Sequence, residues 1–223
     1  MTSDPGQLLI WLVPLLLLAG AFAGVLAGLL GVGGGIIIVP VLFHIFGSLG
    51  VDSTVKMHLA VGTSLATIIP TSVRSMRAHQ QRGSFDAGLF WRWMPAMIVG
   101  VFLGSWLAGL ADTLALTLIF AVVGFIVSVH MSFAKSSWRI RDTLPPPPTN
   151  WFLAGTIGTV SAMMGIGGGT LSVPSMNLFG VPMHRAVGTS AGFGRSIAVA
   201  GTLGFIWSGW GAEELPEFSA GYV

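Results

Sequence analysis

Gly31-Val-Gly-Gly-Gly-Ile-Ile-Ile-Val-Pro40 decides how this chain is read, because it is written twice. It returns as Gly165-Ile-Gly-Gly-Gly-Thr-Leu-Ser-Val-Pro174. Each copy is followed by a second motif, His58-Leu-Ala-Val-Gly-Thr-Ser64 and then His184-Arg-Ala-Val-Gly-Thr-Ser190. The order is kept, and the interval from Pro40 to His58 is eight residues longer than that from Pro174 to His184. A glycine cluster that interrupts an apolar run, once in each half of a chain, marks a membrane protein built from two structural repeats.

Composition agrees. Of 223 residues, 53% are hydrophobic and only 8% charged, where a soluble domain carries about 25%. The apolar runs Leu8–Phe46, Met57–Val73, Ala87–Leu110, Leu114–Ala134, Trp151–Gly180 and Ala186–Ser208 approach or exceed the roughly 20 residues that cross a bilayer. The lipid bilayer is therefore the first partner. The net charge of +2 does not point to nucleic acid, because the basic residues sit in loops. Arg74, Arg77, Arg82 and Arg92 gather at one loop and Lys135, Arg139 and Arg141 at another, as the positive-inside rule places cytoplasmic loops. Cysteine is absent, which removes disulfides and thiolate chemistry. Met1–Gln7 lacks Lys and Arg, so the first apolar run reads as an uncleaved segment rather than a signal peptide.

The expected organisation is a first transmembrane repeat over 8–134, a Pro-rich cytoplasmic linker over 135–150 and a second repeat over 151–223. Pro145–Pro148 makes the linker an extended spacer. Leu8–Phe46 is too long for one ordinary span and short for two, and the glycines and Pro40 fall inside it. Both first segments are thus expected to be broken or re-entrant helices, whose unpaired backbone must face protein or a water-filled cavity. The loop Arg74–Arg82 is basic, whereas its counterpart Gly209–Glu217 has no Lys or Arg. This favours inverted over parallel repeats, with a periplasmic N-terminus. Phe85–Phe90 also aligns with Phe218–Val223. The second repeat is therefore expected to be incomplete here, the chain being a fragment of a longer protein or completed by another chain. The fold class is an all-α polytopic membrane protein.

These motifs resemble the sulfite exporter TauE/SafE family of bacterial membrane permeases. The resemblance rests on the paired glycine clusters, each closed by Val-Pro (Val39-Pro40 and Val173-Pro174). It rests also on the paired Ala-Val-Gly-Thr-Ser at Ala60–Ser64 and Ala186–Ser190, and on the basic loop ending at Gly83. It covers nearly the whole chain. The resemblance implies a duplicated unit of four hydrophobic elements, an inner-membrane location and movement of small sulfur-containing or organic anions.

The candidate site follows from the breaks. No Gly-Lys-Ser/Thr follows either cluster, and Ile36 and Thr170 spoil a Gly-x-Gly-x-x-Gly pattern, so neither reads as a nucleotide loop. Helix ends freed by a break present N–H groups and a partial positive charge, which suit a small anion. Gly33, Gly34 and Gly35, with Gly167, Gly168 and Gly169, are the candidate backbone donors; close helix packing is the competing reading. Thr63, Ser64, Thr189 and Ser190 offer hydroxyls, against their common habit of bonding their own helix carbonyls. Arg195, the one formal charge between Ala186 and Ser208, is expected to face the interior or water, and Asn177 to line the site. His58 and His184 are candidate carriers of a coupling proton or interfacial caps. Gly100, Gly104, Gly188 and Gly192 read as packing positions, and Trp91, Trp93, Trp138, Trp151, Trp207 and Trp210 as interface anchors.

The expectation is a secondary transporter for a small anion, sulfite-like or organosulfur. It would have no cofactor and no metal, a coupling ion of H+ or Na+, and scope to assemble as an oligomer. The alternatives are a non-transporting membrane subunit or an intramembrane enzyme. Against the enzyme, the six-residue spacing of His58 from Ser64 puts the two on different helix faces.

Overall fold

The computed structural model describes residues 34–133, 139–212, 215–216 and 219–223, with the isolated positions 14, 20, 21 and 24. The described residues form seven helices and no strand: α1 Gly35–Ser48, α2 Lys56–Gln81, α3 Ala87–Leu110, α4 Thr113–Phe133, α5 Thr149–Met164, α6 Gly169–Leu178 and α7 Met183–Ser208. By length and composition, α3 and α4 are long and apolar enough to cross a membrane. At 1.5 Å per residue they extend about 36 and 32 Å.

The second glycine cluster does break its helix. α5 ends at Gly165, whose φ of +64° is a left-handed conformation that side chains avoid. The Gly165 amide donates to Ala162 O and the Ile166 amide to Ser161 O, the bond pair that closes a helix on a left-handed glycine. α6 then starts at Gly169. The break is therefore Gly165–Gly168, slightly upstream of the expected Gly167–Gly169, and proline does not make it. Pro40 and Pro174 lie inside α1 and α6, each at the sixth helical residue, where one lost N–H donor is tolerated.

Contacts order the helices between two ends. Gly201 lies against Leu65 and Gly194 beside Ser72, so α2 and α7 run antiparallel. Gly100 packs on Gly155 and Gly104 on Thr159, so α3 and α5 run side by side in the same direction. Neither glycine has room for a Cβ, and the Thr159 hydroxyl donates to Gly100 O at 2.9 Å.

One end gathers the loops 82–86, 139–148 and 179–182. Arg185 pairs with Asp86 at 2.6 Å, and the Ile140 amide donates to Leu178 O at 2.8 Å. Arg82, Arg139, Arg141 and Arg185 make this the basic end. The opposite end gathers the loops 49–55 and 111–112 with residues 209–212 and 219–223. There the Thr113 hydroxyl donates to Thr54 O at 2.6 Å, and the Tyr222 ring meets the His58 ring at 4.7 Å. α5 runs inward from the basic end and α6 returns to it. α1 starts beside Gly165 and Ile166 and runs to the opposite end.

The core sits where α2, α3, α5 and α7 meet, around Leu65, Met97, Val101, Ile157 and Ile197. Trp93 belongs to it. It is 0% exposed and stacks on Phe193 at 5.7 Å, so it is no interface anchor. Two residues along a helix turn about 200°, which sends Trp93 inward and leaves Trp91 exposed. Trp151, Trp207 and Trp210 are exposed as expected, and Trp138 lies outside the described residues.

Candidate functional site

The start of α1 meets the break between α5 and α6. Gly35 abuts the Gly165 carbonyl and the Ile166 backbone too closely for any side chain. The Ser64 hydroxyl, fully buried, donates to Gly165 O at 2.7 Å, which satisfies a carbonyl that the end of α5 leaves over. Around this point lies a cavity of about 350 Å³. The break contributes Gly167, Gly168 and Gly169, and the start of α1 contributes Gly34 and Ile38. α7 adds Val187, Ser190, Ala191 and Gly194; α2 adds Ile68, Thr71, Ser72, Ser75 and His79; Gly20 and Gly24 complete the wall.

Gly34 and Gly168 are equivalent in the duplicated motif and hold equivalent places, as the residues preceding α1 and α6. Neither helix start is capped by a side chain. The two helices leave the centre for opposite ends, so two positive dipole ends converge on one cavity. No Lys, Arg, Asp or Glu lines it among the described residues. Its polar groups are backbone amides, hydroxyls and one imidazole, a neutral donor set suited to holding a small anion without a buried cation.

The structure brings some of the expected residues together and leaves others apart. Gly34, Gly167, Gly168, Gly169 and Ser190 line the cavity, and the Ser190 hydroxyl donates to Val187 O at 2.8 Å within its own helix. Gly35 and Ser64 lie just behind the wall and hold the break in place. Thr189 is buried elsewhere, and its Oγ1 accepts from the Asp86 amide at 3.0 Å. Thr63 and Asn177 are half-buried outside the lining, and Arg195 is exposed beside Gly194. Gly33 lies outside the described residues. His58 is buried, with Nε2 at 3.0 Å from both Ala108 O and Ala111 O. Nε2 must donate to carbonyls, so His58 ties α2 to the C-terminal end of α3. His184 is exposed on the first turn of α7.

Thr71, Ser72, Ser75 and His79 were not singled out from the sequence. The signal was there: intervals of one, three and four residues place them on one helix face, just past the apolar run Met57–Val73. His79 lies beyond that run, between Arg77 and Arg82. Partial burial, and then the nearby Arg82 charge, hold its imidazole below the ordinary histidine range. α2 closes on Gly83, and the Ser84 amide and hydroxyl both donate to His79 O, the hydroxyl at 3.2 Å. With that hydroxyl hydrogen engaged, His79 Nδ1, 2.9 Å from Ser84 Oγ, is the donor, and Nε2 is the nitrogen that gains or loses a proton.

The bundle has two helices long and apolar enough to cross a membrane and, among the described residues, a cavity at a helix break that no Lys, Arg, Asp or Glu lines. The sulfite exporter TauE/SafE family profile matches residues 16–219, and the chain belongs to that family. A "probable membrane transporter protein" of Haemophilus influenzae is 34% identical over 94% of this chain and 79% of its own length. A protein of the same description from Methanocaldococcus jannaschii is 28% identical over 87% of this chain and 73% of its own. The YunE "probable membrane transporter protein" of Bacillus subtilis is 28% identical over 79% and 71%. No solved structure matches the chain.

Proposed function

We propose that the chain is a secondary transporter, not an enzyme, that moves a small sulfite-like or organosulfur anion across the cell membrane. The observation that carries this reading is the convergence of two uncapped helix starts, at Gly34 and Gly168, on one cavity without charged side chains. Backbone amides there are oriented before the anion arrives, so binding requires little reorganisation. Ser190 would add a hydroxyl from the wall. Ser64 and Thr189, engaged with backbone in the opposite half of the chain, would position the wall. Thr63, Asn177 and Arg195 would contact the anion only in another arrangement of the helices.

Inverted repeats give the motion. Helices that the sequence makes equivalent, α2 and α7, run antiparallel, as a two-fold axis in the membrane plane requires. The repeats also grip each other reciprocally. Gly62 seats the carbonyl of Tyr222, within the segment that aligns with Phe85–Phe90, and Gly188 seats the carbonyl of Ser84, just before Phe85, so the second element of each half holds backbone at or next to the start of the other half's third. Both features support re-entrant first segments and a multi-pass protein with its basic end in the cytoplasm. Rocking one half against the other would expose the site to each side in turn. With no nucleotide loop, the driving force would be a gradient of H+, Na+ or the anion itself.

Reconstitution tests this. Proteoliposomes containing the chain should take up [35S]sulfite saturably, and Ser190→Ala should lower that flux while leaving the protein folded. Sulfite movement no faster than in protein-free vesicles would overturn the reading.

A further inference from the structure

Among the described residues, the polar lining of the cavity lies to one side of the break. Ile68 lies against Gly167 at the break, and from there Thr71, Ser72, Ser75 and His79 continue along one face of α2 toward the basic end. From Thr71 to His79 is about 12 Å of helix. In the opposite direction the helices are closed: Leu65 fills the space beside Gly201, and Val39 and Val61 press on Gly165. The positions of α7 equivalent to the four polar residues are Ile197, Ala198, Gly201 and Phe205, all buried. The duplication has therefore kept a polar face on one copy and packed the same face of the other.

We propose that the Thr71–Ser72–Ser75–His79 face of α2 is the path between the break and the basic end, and that His79 at its mouth determines specificity on that side. The proposal rests on the anion-transport reading above. The hydroxyls of Thr71 and Ser72 donate to Ile68 O and Ile69 O of their own helix, each at 2.9 Å, and by rotating away from those carbonyls they can replace part of the water shell of a small oxyanion without fixing it in place. His79 is the one ionisable side chain on the lining among the described residues, and Ser84 fixes its ring through Nδ1. Arg82, at the end of α2, acts on it electrostatically; Arg74 and Arg77 lie on the same helix, and Asp86 and Arg185, at the starts of α3 and α7, pair with each other. α1 and α6 bring no ionisable side chain to the cavity. An anion approaching from this end therefore meets an imidazole and a guanidinium and no unpaired carboxylate. A carboxylate placed at position 79 would repel it on the lining of its route.

The test uses the full chain, which has no cysteine, in membrane vesicles of both orientations. Single cysteines at Ser75→Cys and His79→Cys are expected to react with a membrane-impermeant maleimide applied at the basic end. Ala198→Cys, the α7 equivalent of position 72, is expected to react from neither side. In parallel, His79→Glu is expected to raise the apparent KM for [35S]sulfite offered at the basic end by about tenfold, and to leave the KM from the other side within twofold. Ala78→Glu, which adds the same charge at an exposed neighbour outside the lining, should change neither. Cysteines 75 and 79 that are unreactive from the basic end, or equally reactive from both, would overturn the path. A His79→Glu effect of equal size from both sides would overturn the assignment of specificity. If the wild-type chain moves no sulfite, the transport reading fails, while the labelling still decides which end the cavity opens to.

Discussion

α2 and α7 carry the same Ala-Val-Gly-Thr-Ser motif and put it to different uses. The glycines do the same work: Gly62 and Gly188 each admit a backbone carbonyl where a Cβ would collide. The hydroxyls diverge. Ser64 crosses to Gly165 O and holds the break, whereas Ser190 bonds within its own helix and faces the cavity. Thr189 receives the Asp86 amide, and Thr63 stands half-buried away from the cavity. The difference teaches that the two copies of the motif share a close backbone approach at their glycines while their hydroxyls take different partners. Both helices line the cavity, but the motif serine of α2 supports the break while that of α7 faces the cavity.

The largest effect should come from breaking what the two helices share. Gly62→Val or Gly188→Val forces a side chain into backbone of the other half and should cost about 3 kcal/mol or more, seen as loss of monodisperse protein in detergent. Gly124→Val is the control, since nothing lies within 4 Å of a Cβ there, and it should leave thermal stability unchanged. Equal tolerance at Gly62 and Gly124 would remove the close approach.

The serines sharpen the contrast. Ser64→Ala leaves Gly165 O without its donor and should cost about 1–2 kcal/mol, read as a lower unfolding midpoint. Ser190→Ala loses a bond within one helix and should shift stability by less than about 1 kcal/mol while lowering sulfite flux. The reverse ranking would exchange their roles. A smaller effect concerns the Asp86–Arg185 pair. Arg185 is half exposed, so Arg185→Gln should cost only about 0.5 kcal/mol. Asp86→Ala should cost more, because that carboxylate also accepts the Leu89 amide at the start of α3.

The mildest prediction concerns pH. Burial and Arg82 lower the His79 pKa, so the imidazole is neutral near pH 7 and gains its charge only as pH falls below the ordinary histidine range. A cation at the mouth favours an anion, so the apparent KM from the basic end should fall as pH falls through that region. His79→Gln should flatten the profile. A profile identical in both proteins would show that His79 does not set it.

Much of the architecture was legible. The second glycine cluster located a break, although the hydrogen bonds at Gly165 moved it upstream; the stretch leading into the first cluster lies outside the described residues. Pairing of the two Ala-Val-Gly-Thr-Ser motifs pointed at helices that do meet in space. The candidate site was legible only in part, because spacing reports which helix face a residue shares and not what that face meets. Arg195 stood out as a lone charge yet lies on the exposed face of α7, while Ser75 and His79, unremarkable among arginines, line the cavity.

The sequence alone determined the membrane setting, the repeated motif, the neighbourhood of the break in its second copy and the loops that carry the basic residues. These depend on composition and local backbone preference, which every residue carries with it. Only the tertiary structure decided that the start of α1 abuts the break at Gly165, that Ser64 rather than a cap satisfies the Gly165 carbonyl, and that Thr71, Ser72, Ser75 and His79 line one cavity. Those are contacts between residues about 100 positions apart, set by which faces of α2 and α7 can approach, and no local pattern encodes that choice.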